Sequence, residues 1–555
     1  MISGDDSLTL FNSSLTLSGG TASEISNLAL TGFGTAVSTF GDLTLTGASS
    51  MVNDAVLMGN GHIFNTGTLS LSGGPKIQTE LQDTGTIIVS SGTFFVSGAT
   101  AKVRVLDGGV LNLTNASVQR PNGGLGVFIE DGGTLNSVTG TNTANGAIFV
   151  DGGDVNVTGV PGNSLQFNAG TSLHDATFNV AAGTNVFFNG NAQNAVSGTI
   201  TGTGAGAVVI NGNSSFDLAT DTVFNFAAGQ LLFQNSAAIA GPGTLTNVGF
   251  VQGSPTLKTK VLNTGTFAPT GTLNFSGATA ELRILAGSTI GSTGINLGGD
   301  ATSVGLIVES GGLLTGGFSS GAVPVQVLGG TVKTIATSSM AFNGTASLVG
   351  ALLDTSAGNQ IFFQSGATTS LSGTITGIGP AGTVVFANGP ATFNVAAGGA
   401  TLAFAPGMAV FHDATINGPG VLTTVGELLF SSSNLILRTE LRVEGTLNLV
   451  GTNPNLTLDG AGGLLRIADG GHFLGGSNVN GHGIAATNGG AGIFIEHGGI
   501  FQSTGGLIIT APFSNLGTVL VDSALRLNGP VAQISGTAGN VALTGGTWIQ
   551  HGNSF

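Results

Sequence analysis

The chain has no cysteine and no tyrosine among its 555 residues, and only one tryptophan, Trp548. Without cysteine there is no disulfide framework, no thiolate metal site and no cysteine nucleophile. Sugar-binding clefts usually present Trp or Tyr, which combine a flat face with a polar tip, and this chain offers almost none. Charge is also scarce. Charged residues make up 7%, with 12 basic residues against 27 acidic ones and a formal net charge of -15. No basic stripe exists to release counterions from a nucleic acid, and an anionic membrane surface is disfavoured for the same reason. Long apolar runs are missing too. Gly, Ser, Thr or Asn interrupts each run well short of the roughly 20 residues that span a bilayer, so membrane insertion by this segment is not expected. The first residues, MISGDDSLTL, lack the basic and apolar regions of a secretory signal. The expectation is a removed signal or a piece of a longer protein.

What is present points one way. Gly contributes 97 residues and Phe 33, hydrophobic residues total 41%, and the mean hydropathy is +0.40. A disordered chain is rich in charge and poor in aromatic and β-branched residues, so this is a folded, β-rich chain whose polar surface is built from Thr, Ser and Asn.

Two repeats are superimposed. The short one is seen where Val186-Phe187-Phe188-Asn189-Gly190-Asn191 returns as Val208-Val209-Ile210-Asn211-Gly212-Asn213 and again from Leu231, at spacings of 22 and 23 residues. The long one is seen where the segments from Gly59, Gly241 and Gly418 match, each followed within a coil by related segments from Ile77, Leu257 and Leu437. The long units read as 1–58 (the tail of one), 59–240, 241–417 and 418–555 (incomplete). Within each short period, runs such as Thr68-Leu69-Ser70-Leu71 alternate apolar and polar residues, the pattern of a strand with one buried face. Glycine pairs separate the runs, and sustained helical periodicity is missing. The expected fold is all-β, a single long parallel β-solenoid over 1–555 with coils of about 22 residues, most simply a right-handed β-helix. At about 4.8 Å per coil, roughly 25 coils would extend about 120 Å. A propeller, with blades of roughly 40 to 50 residues, needs twice the observed period. Inward Phe, Val, Ile and Leu are expected to stack in ladders, with Phe187, Phe188, Ile210 and Phe233 among the test positions.

Charged residues recur with the long repeat. Arg104, Arg283 and Arg466 share one position, and Glu130, Glu309 and Glu496 another, 26, 26 and 30 residues later. Glu80 and Glu440 stand a coil before Arg104 and Arg466, with Lys260 as the counterpart in the middle unit. Outer-face ion columns are therefore expected. A carboxylate beside an arginine also suits uronic-acid chemistry, but an active site is needed once and this pattern occurs three times. Asp107, Asp131, Asp151 and Asp469 each open an Asp-Gly-Gly corner. They read as turn-capping side chains, and the calcium-binding nonapeptide of β-rolls does not occur. HDAT stands at His174 and at His412, but a relay also needs a placed nucleophile and oxyanion donors. His472, His482 and His497 fall within about one coil and are the weak candidate for a metal. No catalytic residue, cofactor site or metal site is assigned.

Stretches such as LNTGTFAPTGTLNFSGATAELRILAGSTI from Leu262 and FNTGTLSLSGG from Phe64 resemble the Asn-x-Gly-Thr-Leu repeats of large bacterial surface β-helices. These are the autotransporter passengers and filamentous-haemagglutinin-like exoproteins. The resemblance covers essentially the whole chain at the level of repeats. It implies a right-handed parallel β-helix, export to the bacterial cell surface, and a role in adhesion or as a stalk. The partner implied is a host or neighbouring-cell surface or matrix, with no nucleic acid. Two readings compete with an adhesive or structural scaffold: a polysaccharide lyase or hydrolase on the same fold, and ice or crystal-surface binding through Thr columns. The strand-like ends of the chain lead to a further expectation, that it continues in its natural context, either covalently or by end-to-end self-association into a filament.

Overall fold

The structure, a computed structural model, describes residues 7–551 except 20, 21, 365, 432, 433, 451–453, 477–481, 533, 538 and 539. It is all-β, with 60% of residues in strands and 1% helical, and forms a parallel β-solenoid of about 23 turns with about 22 residues per coil. Two compact units divide it, Met1–Pro269 and Thr270–Phe555.

In the first unit successive coils supply strands to three parallel sheets. Strand Thr134–Thr139 lies in the first sheet, Thr141–Ala144 in the second and Ile148–Asp151 in the third. The chain then re-enters the first sheet as Asp154–Val157, with Thr134 opposite Asp154 and Leu135 opposite Val155. The alternating sequence dictates this geometry. Successive side chains of a strand point to opposite faces, so the apolar half of each run turns inward and the Thr, Ser and Asn half outward. Winding also satisfies the backbone, because each strand's N–H and C=O groups bond the coils before and after it.

The second unit follows the same plan. Glu440–Val443, Thr446–Leu449 and Asn455–Asp459 occupy three different sheets, and Leu464–Ile467 returns to pair with Glu440–Val443. Coil length varies because the corners absorb insertions. Asn247 and its partner Asn263 are 16 residues apart, whereas Asp459 and Thr487 are 28 apart. Some strands bend round a corner and serve two sheets. Thr86–Val96 pairs through Ile87 with Leu111 and through Phe94 with Val118.

The inward side chains form buried ladders. Phe342, Phe363, Phe386 and Phe411 stack in one column of the second unit, with ring centroids 5.0, 5.1 and 4.8 Å apart. In the first unit Phe167 stacks on Phe188 at 4.9 Å, and Phe216 meets Phe188 edge-on. Phe188, Ile210 and Phe233 are buried, and Phe187 points outward and is half-buried. Phenylalanine is thus not confined to the interior: Phe128 and Phe149 stack at 4.4 Å on the outer face. Glycine is required at the Asp-Gly-Gly corners. Gly132 has a positive φ of 72°, and a Cβ there would collide with the Asp107 carboxylate of the previous coil.

Candidate functional site

The recurring arginines stand on outward positions of successive strands, and neighbouring coils bring carboxylates to them. In the first unit Arg104 belongs to strand Lys102–Val105, opposite Gln82 on one side and Phe128 on the other. Its Nε and a terminal nitrogen donate to the two oxygens of Glu130 at 2.5 and 2.7 Å, a bidentate fork. Its other terminal nitrogen lies 3.6 Å from Glu80, which also meets Lys102 at 3.1 Å and His62 at 3.6 Å. His62 reaches Asp42 in turn at 3.3 Å. One polar chain therefore crosses five coils from Asp42 to Glu130. Burial works to raise the Glu80 carboxyl, but Lys102, Gln82 and His62 together hold it below its ordinary value. The bond to Glu130, opposed by burial and helped by Glu80, holds the Arg104 guanidinium above its own.

The second unit carries two such clusters. Arg283 donates through Nε to Glu281 at 2.6 Å and pairs with Glu309. Arg466 donates through Nε to Glu440 at 2.6 Å and reaches Glu496 at 3.2 Å, with its guanidinium 5.1 Å from the centre of the Phe494 ring. Arg442, the register partner of Arg466, shares Glu496 and pairs with Glu444 at 2.8 Å. The bond to Glu281, against burial and with help from Glu309, raises the Arg283 guanidinium, and Glu440 followed by Glu496 does the same for Arg466.

Lys260 opens strand Lys260–Asn263 of the first unit. Beside Arg283, Glu281 supplies a carboxylate from the arginine's own strand. Glu281, Lys102, Arg442 and Glu444 had no place in the sequence reading. The signal was available, because residues two apart on a strand share a face, and Glu281 and Arg283 are so spaced.

The HDAT corners are built alike in both units. His174 Nδ1 bonds the Ser197 hydroxyl at 3.0 Å and His412 Nδ1 the Ser431 hydroxyl at 2.9 Å, each on the next coil. Asp175 and Asp413 accept the backbone N–H of Thr199 and Asn434 at 2.6 and 3.0 Å. Burial, against the pull of Asp413, lowers the His412 imidazole below its ordinary value. Both side chains of each pair are thereby spent on stitching one coil to the next. Beside His174, Glu130, Asp131, Asp151 and Asp175 line a cleft of about 410 Å³.

No protein-family model matches the chain, and neither does any curated protein.

Among the described residues no group of three or more His, Asp or Glu is placed to hold a metal ion. His472 bonds Gln502 at 2.9 Å, and the His482 side chain lies outside the described residues. No helix among the described residues is long and apolar enough to cross a membrane.

Proposed function

We propose that the chain is a non-catalytic structural or adhesive scaffold of the bacterial cell surface, which presents repeated weak contacts to a neighbouring surface or matrix. The observation that supports it is the disposition of charge. Arg104, Arg283 and Arg466 are each flanked by two carboxylates, so each guanidinium is engaged within its own cluster along the coils. Catalysis on a uronic-acid polymer needs the opposite, a carboxylate and a cation left free in one groove to meet substrate. The same construction occurs in both units, as a repetitive scaffold requires and an active site does not.

A repetitive surface binds through number, not through one tight site. The test is adhesion of beads that carry the purified chain at increasing density, over cell-surface and matrix preparations. Retention that climbs more steeply than density supports the proposal. Retention equal to that of bare beads at every density overturns it.

A further inference from the structure

One face of the first unit combines two columns that the ion clusters do not touch. On the second sheet, Thr143, Gln166, Phe187, Val209 and Leu232 are register partners from coil to coil and point outward. Of the last three, Phe187 and Leu232 are half-buried and make an apolar ridge, with Val209 buried between them. Beside it runs a ladder of asparagines. Asn168 donates to Asn145 at 2.9 Å, Asn189 to Asn168 at 3.3 Å, Asn211 to Asn189 at 3.4 Å and Asn235 to Asn211 at 2.8 Å. Five coils at about 4.8 Å give this double column a length of about 19 Å. Neither column holds a charged residue between Thr143 and Asn235.

The ladder does not exhaust the amides. A primary amide has two N–H donors and two acceptor lone pairs, and each rung consumes one of each. Asn145 gives its N–H groups to Ser117 and Thr143, and Asn211 accepts the Gly212 N–H. Asn168 and Asn189 keep one donor and one acceptor apiece. Round the next corner the polar surface continues, with Asn213 bonded to Asn191 at 3.2 Å and both lining a cleft of about 270 Å³ with Gln193, Ser215 and Ser236, closed at its far end by Lys258.

A ligand for this face must be extended, because the column is. It must be uncharged along this length, because neither column holds a charge to meet it. It must carry an apolar face beside a rim of hydroxyl groups, to match a ridge beside an amide ladder. Sugar rings have C–H faces and hydroxyl edges, and here the Phe187 ring and the neighbouring amides together stand in for the flat face and polar tip that Trp or Tyr usually supplies. We propose that this face of the first unit binds an extended, uncharged polysaccharide chain lying along the coil axis, with ring faces over Phe187 and Leu232 and hydroxyl groups on Asn168 and Asn189. The proposal rests on the adhesive reading and names the partner's chemistry.

The test is calorimetric titration of the intact chain with cellohexaose, xylohexaose, mannohexaose and laminarihexaose, with the matching trisaccharides, and with oligogalacturonate as the charged control. At least one neutral hexasaccharide is expected to bind, about tenfold or more tighter than its trisaccharide, with oligogalacturonate weaker. Asn189→Asp combined with Asn211→Asp, which sets acceptor against acceptor, and separately Phe187→Ala, should each weaken binding about tenfold. Asn136→Asp breaks a separate ladder, Asn112–Asn136–Asn156–Asn179 on the first sheet, and should leave affinity unchanged. Failure of all four neutral hexasaccharides to bind overturns the proposal, as does equal weakening by Asn136→Asp. If the bead adhesion persists in the Asn189/Asn211 variant, this inference fails while the adhesive reading stands.

Discussion

Inside the first unit, Asn65 donates through its side-chain nitrogen to Asp83 at 2.5 Å, both residues are buried, and Asp83 Oδ2 and Asn65 Oδ1 have no hydrogen-bond partner. The equivalent pair in the next long repeat is Asn247 and Asn263, at 2.6 Å. Burial pushes the Asp83 carboxyl up to about 6 from 3.8, against the pull of Asn65 and of the backbone at Gly85 and Val110. A carboxyl raised in the folded chain favours folding most below 3.8, and that advantage fades as pH rises through about 6. Asp83→Asn should therefore stabilise the chain at pH 7.5 by up to about 3 kcal/mol and gain little at acid pH. Urea unfolding of both proteins at either end of that window checks this. A variant less stable than the parent at pH 7.5 contradicts it.

The Arg104–Glu130 fork is partly exposed, so its net worth is modest. A double-mutant cycle with Arg104→Met and Glu130→Gln should give a coupling of about 1 kcal/mol, shrinking as salt screens it. A coupling that grows with salt would mean that charge is not the source.

Phe362 and Phe363 are sequence neighbours on opposite faces of strand Ile361–Gln364. Phe363→Ala opens a cavity between Phe342 and Phe386 and should cost about 3–5 kcal/mol. Phe362→Ala removes a half-buried outward ring and should cost about 1 kcal/mol or less. Comparable losses for the two would contradict the inward and outward assignment.

The alternation of Thr68-Leu69-Ser70-Leu71 and of Leu111-Asn112-Leu113-Thr114 made strand positions legible, and the repeat made the coil legible, because both patterns are set by local geometry. The same alternation in Leu81-Gln82-Asp83 turns Asp83 inward, yet an acidic residue reads as a surface residue from composition alone. Corner geometry was less legible. Thr86–Val96 bends between two sheets without a break, because strand pairing continues through a corner that residue type alone does not mark. The ion clusters were legible where partners fall one coil apart, as with Arg104 and Glu130. They were not legible where a partner lies on the same strand, as with Glu281 two residues before Arg283, because only residues one coil apart were compared.

The central claim, that the charged columns are structural and the scaffold does no chemistry on polysaccharides, is tested most directly by incubating the intact chain with uronic-acid and neutral polysaccharides, with and without calcium. Product would be followed as new reducing ends and as absorbance of unsaturated uronate. The account predicts no release above buffer on any polymer. Steady turnover that is abolished by Glu130→Gln, Arg104→Met or Asp151→Asn in a chain that still folds would contradict it.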